Sequence, residues 1–300
     1  MIELLQHIID GISVGAIYAL IALGYTMVYG VLKLINFAHG DVFMLGAMMG
    51  WYASARWTNE ARSPSFGGAV LVTLFAMLVC GAIGFLIERL AYRPLRNQPR
   101  LNSLITAIGM SLLLEYGGQY LFGATPRVFN VLPHNPPLQV GHVSWGYVDV
   151  VTVVVSLLLM FGLQRIVFHT RIGTAMRAVS FNPQVAALMG VNTDFVISFT
   201  FVLGSALAAA AGILFASKYP SVHPLMGLMP GLKAFVAAVL GGIGNVPGAM
   251  LGGLLLGLAE QIVSGYVSSS WRDAFAFAIL ILVLLVKPSG LLGRTDAEKV

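Results

Sequence analysis

The chain has 300 residues, of which 58% are hydrophobic and only 10% are Asp, Glu, Lys or Arg, with a formal net charge of +5. Soluble domains carry about 45–50% apolar and roughly 25% charged residues, so a water-surfaced globule is excluded and hydrocarbon is the main solvent. The single cysteine, Cys80, excludes a disulfide framework or a Cys-rich metal site, and basic residues dispersed over short loops exclude a nucleic-acid-binding patch.

A spanning helix needs about 20 mostly apolar residues. The first ten residues hold Glu3 and Asp10 but no Lys or Arg, so the start is expected to lead into an uncleaved first span and not to be a secretory signal. Gly11–Leu32 is uncharged and long enough to cross. Ile35-Asn36-Phe37-Ala38-His39-Gly40-Asp41 follows, and Gly40–Tyr52 is expected to complete a second span. Phe66–Ile87, Leu101–Gly123 (with Glu115 inside it), Val148–Phe168, Phe195–Ser217 and Tyr266–Val286 supply five more. Segment 231–265 is too long for one simple helix and is broken at Gly241-Gly242-Ile243-Gly244-Asn245-Val246-Pro247-Gly248. It reads as a discontinuous element, tolerable where it is buried in protein or lines a cavity. The fold class expected is all-α: one polytopic helical bundle over 1–300, with eight or nine spans according to how 231–265 folds.

Orientation follows from the basic residues. Arg89, Arg93, Arg96 and Arg100 share one loop, and Arg165, Arg171 and Arg177 share another; the positive-inside rule faces both to the cytoplasm. Lys33 then lies inside and 123–147, 218–230 and the N-terminus outside. Arg56 and Arg62 are exceptions, while Lys287, Arg294 and Lys299 favour an inner C-terminus. Loop 123–147 holds Pro126, Pro133, Pro136 and Pro137 and is expected to be irregular and surface-lying.

Gly11-Ile12-Ser13-Val14-Gly15 satisfies the G-x-S-x-G pattern of a nucleophile elbow, but no strand precedes it, so close helix packing is the preferred reading. No lysine follows a glycine, so the chain has no phosphate-binding P-loop; any ATP is bound by another chain. Gly244, Gly248 and Gly252, with Gly253 and Gly257 beside them, form a small-residue stripe for close helix approach. Unwound backbone at Gly242, Gly244 and Asn245 is a candidate lining for a polar substrate's path at mid-membrane. Gly46-Ala47-Met48-Met49-Gly50 recurs as Gly248-Ala249-Met250-Leu251-Gly252, a pattern an inverted repeat would leave. Polar groups in spans are expensive and mark function. Asn36, His39 and Asp41 either cap the next helix, Asp41 favouring its N-terminus, or contact a partner or substrate, so Asn36 and His39 join Glu260 as path candidates. Glu115 and Glu260 are the proton sites of a rival reading or pair with neighbours, and Lys233, near a helix start, is expected to snorkel outward. His134, His142 and His223 lack metal-ligand spacing.

In loop 169–194, Asn182 suits an N-cap, Pro183 the first helical position and Gly190 the position past the end. A short helix with an apolar side over 183–189 is thus expected on a cytoplasmic loop, as a docking knob for another protein.

Taken together, Tyr18-Ala19-Leu20-Ile21-Ala22-Leu23-Gly24-Tyr25-Thr26-Met27-Val28-Tyr29-Gly30, the stretch Ile35–Gly40, Glu88-Arg89 with Ala91-Tyr92-Arg93-Pro94, Ala107-Ile108-Gly109-Met110-Ser111 and Lys233-Ala234-Phe235 through Pro247-Gly248-Ala249-Met250 are similar to the LivH-type permeases of bacterial branched-chain amino-acid ABC transporters, over essentially the whole chain. Gly293-Arg294 and the final Glu298-Lys299-Val300 fit as well. The resemblance implies a multi-pass permease of the bacterial inner membrane, not itself an enzyme and holding no cofactor, embedded in lipid. It also implies a second permease, two ATP-binding subunits and a periplasmic substrate-binding protein as partners. Loop 169–194 then falls where such permeases carry the helix that docks in the ATPase, giving Arg171, Arg177, Asn182, Pro183, Leu188 and Gly190 a coupling role. Gln184-Val185-Ala186-Ala187-Leu188-Met189-Gly190 departs from the common EAA–G signature, lacking its Glu and having a shorter gap to Gly. Urea and short-chain amide importers share this permease type. An ion-coupled secondary transporter and an intramembrane hydrolase using Ser13 are the rivals from other classes.

Overall fold

The computed structural model describes residues 2–58, 65–96, 98–133, 136–140 and 143–293. Expectations resting on Arg62, His134, His142, Arg294 and residues 298–300 lie outside them. The α-helices are α1 (Ile2–Leu32), α2 (His39–Ala53), α3 (Phe66–Ile87), α4 (Arg100–Phe122), α5 (Tyr147–His169), α6 (Arg171–Phe181), α7 (Pro183–Leu188), α8 (Thr193–Lys218), α9 (Leu228–Gly241), α10 (Val246–Tyr266) and α11 (Arg272–Val286). A π-helical turn, Glu88–Tyr92, and a 3-10 turn, Arg93–Leu95, extend α3. Among the described residues six helices are long and apolar enough to cross a membrane, and α9 is a shorter apolar one.

The prolines explain where helices start. Hydrocarbon offers no partners to a free N–H or C=O, so spans close their hydrogen bonds internally, and proline is tolerated where an N–H is unpaired anyway. Pro99 precedes α4, and Pro183 and Pro247 sit in the first turns of α7 and α10. Pro220 and Pro224 lie in the non-helical stretch before α9.

The centre is α1 against α8, both nearly fully buried through Ala16–Leu23 and Ala208–Ala211. Around them the two halves repeat with opposite sense. Helix α1 packs on α9 and α10, and α8 packs on α2 and α3; α2 contacts α3 and α4, as α9 contacts α10 and α11. After α1 the chain runs through 33–38 without helix and begins α2 beside Gly24, well back from the end of α1. After α8 it runs through 219–227 and begins α9 against Gly40. The starts of α2 and α9 therefore abut, a Cβ on Gly40 lying 2.9 Å from the Gly227 carbonyl oxygen and 3.2 Å from Gly231 Cα. This inverted repeat pairs α1–α4 with α8–α11. The expected register, 46–50 with 248–252, matched α2 to α10 instead, because short Gly-Ala-Met strings recur wherever helices touch closely.

Segment 231–265 is broken as expected, but as a helical hairpin: α9 and α10 join through 242–245, with Gly242 and Gly244 at φ +107° and +92°. Both lie in the left-handed region that glycine enters without strain. The break lies beside the end of α1, not its middle. Gly244 packs on Gly30, near the end of α1, and residues 289–293 wrap it: Leu291 and Leu292 N–H groups donate to the Leu240 and Gly241 carbonyls, and Asn245 Nδ2 donates to the Leu292 carbonyl at 2.7 Å. Loop 123–147 also departs from a surface loop. It holds an antiparallel hairpin of β1 (Leu138–Val140) and β2 (Val143–Trp145), and it pairs Arg127 with Val222. Phe129, Val131 and Leu132 are buried because they pack down onto the bundle.

Candidate functional site

Helix α1 serves as a ruler for the predicted path residues. Glu260 accepts the Tyr18 hydroxyl at 3.0 Å, the His39 ring fills the notch left by Gly24, and Gly244 meets Gly30. Steps of six residues at 1.5 Å each set these levels about 9 Å apart. The structure thus brings Asn36 and His39 together, but places Gly242, Gly244 and Asn245 one level toward the end of α1 and Glu260 one level the other way.

The middle level is where α2 and α9 start. His39 is 1% exposed, its ring packs on Tyr25 at 4.8 Å, and its Nε2 has no hydrogen-bond partner among the described residues. Asn36 is held by the Tyr92 hydroxyl, which donates to its Oδ1 at 3.0 Å. Lys33 turns the chain off α1 at φ +56°, a conformation uncommon for a side chain with a Cβ. Two helix N-termini converge here and bring two positive dipole ends together, although several of their first N–H groups are already taken, His39 by the Asn36 carbonyl, Asp41 by the Ala38 carbonyl and Leu228 by the Leu225 carbonyl. Asp41, in the first turn of α2, complements that dipole and accepts the Ser111 hydroxyl from α4.

Lys233 does not snorkel outward. It is buried, with Nζ 2.9 Å from Glu260 Oε1 and 2.6 Å from Asp273 Oδ1, because carboxylates on α10 and α11 reach it inside the bundle. Glu260 is accordingly half of an ion pair. Ser13 donates to Asp149 Oδ1 at 2.7 Å, and the same oxygen pairs with Lys218.

At the end of the bundle where α1 terminates, α6 folds back at Thr170, whose hydroxyl accepts the Gly173 N–H at 3.1 Å. It buries Gly173, Met176 and Val179, one face of a helix, and leaves Arg171 and Arg177 exposed, Arg177 lying 5.6 Å over the Phe168 ring. The sequence reading missed this helix. In α7, Asn182 Oδ1 accepts the Val185 N–H at 3.0 Å, Pro183 opens the first turn, and Gly190 terminates at φ +85°, as the capping residues predicted. Ala186 faces inward. Leu188 is 86% exposed, and Val185, Met189 and Phe181 are exposed beside it.

The sequence reading also missed a clasp beside this loop. Asp194, in the first turn of α8, pairs with Arg93 and Arg96, and Arg96 also pairs with the fully buried Glu88. Two acids separated from their arginines by several residues to a hundred leave no local spacing signal. An apolar cavity of about 180 Å³ lies elsewhere, between α3, α5 and α8, and adjoins a more polar one of about 300 Å³ at Lys218 and Asn130.

Residues 7–284 match the family described as branched-chain amino acid transport system / permease component. The chain is 44% identical to the high-affinity branched-chain amino acid transport system permease protein LivH of Escherichia coli (strain K12), over 99% of this chain and 97% of that one. It is 42% identical to the corresponding protein BraD of Pseudomonas aeruginosa, over 99% and 98%. A probable branched-chain amino acid transport permease of Methanocaldococcus jannaschii is 29% identical over 91% and 88%.

Proposed function

The chain belongs to the branched-chain amino-acid permease family, and from that premise we propose that it is the membrane-spanning permease of an ATP-driven importer of leucine, isoleucine and valine. Its partners are a second permease, two ATP-binding subunits and a periplasmic substrate-binding protein, and its place is the bacterial inner membrane. The chemistry of ATP belongs to the ATP-binding subunits. The relatives, named as branched-chain amino acid transport permeases, favour branched-chain amino acids over urea or short-chain amides as cargo, and uptake measured with a panel of all three tests that choice.

Among the described residues nine segments then cross, with 1–300 read as a single permease domain: α1, α2 with its lead-in, α3, α4, α5, α8, α9 with its lead-in, α10 and α11. The end holding Lys33, Arg89, Arg93, Arg96, Arg165, Arg171, Arg177 and Lys287 faces the cytoplasm by the positive-inside rule. The N-terminus and the β1–β2 hairpin face outward, toward the binding protein. The substrate passes the level of Asn36 and His39, where two helix N-termini suit the carboxylate of a zwitterionic amino acid. The hairpin turn at Gly242, Gly244 and Asn245 lies at the inner exit.

The observation that carries the coupling part of this reading is the uncovered apolar edge of α7. Leu188, Val185 and Met189 project from a rigidly capped helix at the arginine-rich end. An exposed apolar edge rimmed by polar residues marks a protein contact, and a groove in the ATP-binding subunit is the fitting occupant. Leu188→Asp is expected to reduce co-purification of the ATP-binding subunits at least 10-fold, since one buried charge at an interface core costs on the order of 2 kcal/mol or more. Pro183→Ala or Gly190→Val is expected to keep the complex but lower leucine uptake per ATP hydrolysed. If vesicles with all three variants retain full ATP-dependent uptake, α7 is not the coupling helix.

A further inference from the structure

We infer that the clasp of Asp194, Arg93, Arg96 and Glu88, continued by the Tyr92 hydroxyl to Asn36, carries movement of the cytoplasmic loop to the mid-depth meeting of α2 and α9, and that Tyr92 and Asn36 are positioning residues for transport. The inference rests on the permease reading above and adds a physical connection between its two sites.

The connection can be followed bond by bond. Loop 182–192 ends at Asn192, whose side chain caps α8 by accepting the Phe195 N–H at 3.1 Å. Asp194 is one residue into the helix, so displacing α7 displaces Asp194 directly. Its carboxylate is gripped by Arg93 and by Arg96, the latter at 2.5 Å. Arg96 also holds Glu88, and the other oxygen of Glu88 accepts the Ser198 hydroxyl at 2.5 Å. The first two turns of α8 are thereby tied to one short piece of chain, 88–96.

That piece is not α-helical. Residues 88–92 form a π-turn and 93–95 a 3-10 turn, geometries frequent at functional sites and hinges. Tyr92 sits at their junction, 2% exposed, its ring 5.2 Å from Phe201 on α8. Its hydroxyl leaves this cytoplasmic knot and reaches Asn36, itself 3% exposed, in the turn between α1 and α2. Three residues later His39 opens α2, and Gly40 bears on Gly227 and Gly231 of the other half. In the second repeat Lys233 of α9 is joined to Glu260 of α10 and Asp273 of α11, and among the described residues it has no ion pair with the cytoplasmic loop.

A hydrogen bond that only held the fold would change the amount of complex and not its coupling. The test uses the whole complex with its ATP-binding subunits in proteoliposomes, comparing wild type with Tyr92→Phe, Asn36→Ala and the pair. Both single variants are expected to assemble, and Tyr92→Phe, which lies off the substrate path, to keep its basal ATPase rate. Each should lose about 3- to 10-fold in leucine taken up per ATP hydrolysed, the range set by one buried hydrogen bond. The double variant should lose no more than Asn36→Ala alone, because the Tyr92 hydroxyl acts through Asn36. Losses that multiply in the double variant, or an unchanged uptake-to-ATP ratio in Tyr92→Phe, overturn the connection. A wild-type complex that binds ATP but takes up no branched-chain amino acid overturns the permease reading, and this inference with it.

Discussion

Gly257→Val is expected to remove most of the folded protein from the membrane, whereas Gly162→Ala should leave its amount and thermal stability unchanged. Helices α1 and α10 touch backbone to backbone. A Cβ added at Gly257 strikes the Gly15 amide nitrogen and Cα and comes within 2.7 Å of the Gly11 carbonyl oxygen. One added at Gly15 lies 2.9 Å from Leu254 Cα, and one at Gly253 strikes the backbone of Ala19. Side chains that crowd a core can change rotamer, and overpacking then costs about 1–3 kcal/mol. Backbone atoms of two helices have no such escape, so the helices must separate along the length of their contact. Close packing is also the main attraction available between helices in lipid, where no hydrophobic drive brings them together. With total stabilities of about 5–15 kcal/mol, one such separation suffices to unfold the protein. Nothing lies within 4 Å of a Cβ at Gly162, which makes it the matched control. Membrane yield and thermal unfolding in detergent decide the matter; a Gly257→Val protein that accumulates and melts like wild type rules out this contact.

The same contact shows what the sequence made legible. Gly11-Ile12-Ser13-Val14-Gly15 offered a hydrolase pattern and a packing pattern. In the fold both glycines are touching points for α10, at Leu258 and Leu254, and Ser13 spends its hydroxyl on Asp149. Packing glycines were readable because spacing on a single helix encodes them. Their partners were not: the stripe on α10 splits, Gly248 and Gly252 meeting α9 while Gly253 and Gly257 meet α1. The caps of α7 were legible for the same local reason, since Asn182, Pro183 and Gly190 act on residues within four positions of themselves.

Position along the bundle was the property not legible in the sequence. Glycines at 241–248 were expected at mid-membrane because the apolar run continues through them, yet hydropathy does not distinguish a tight hairpin beside a helix end from an unwound helix at its middle. The helix starts that meet beside Gly24, at His39 and Leu228, follow ordinary-looking stretches, 33–38 and 219–227. They become visible only when α1 and α8 are aligned as equivalents, and that needs the tertiary packing. Lys233 failed similarly. A lone lysine on one helix reads as an unfavourable charge until α10 and α11 bring it two carboxylates.

Lys233→Met is expected to destabilise the protein by about 3–5 kcal/mol, the range for removing one partner of a buried ion pair. For a chain this size that is a fall on the order of 10 °C in the unfolding midpoint. The cause is the group left behind. Glu260 is 1% exposed, and without Lys233 it keeps, among the described residues, the Tyr18 hydroxyl alone as a hydrogen-bond donor, too little for a carboxylate in a low-dielectric interior. Lys233→Met combined with Glu260→Met removes both charges and should recover much of the loss, as apolar replacement of a whole buried pair usually does. The half-exposed Asp273 tolerates the change because water reaches it. These variants also separate the ATP-driven reading from an ion-coupled one. A proton carrier at position 260 must bind and release a proton in each cycle, so Glu260→Gln would abolish uptake while leaving the fold intact, and a protonophore would stop wild-type uptake at constant ATP. A structural ion pair gives the opposite pattern: Glu260→Gln lowers the unfolding midpoint, while uptake per folded complex follows ATP and ignores the protonophore. The second pattern is expected, because the carboxylate is fixed from two sides by groups on α1 and α9, and a carrier that never loses its counter-charge has no step in which to let its proton go.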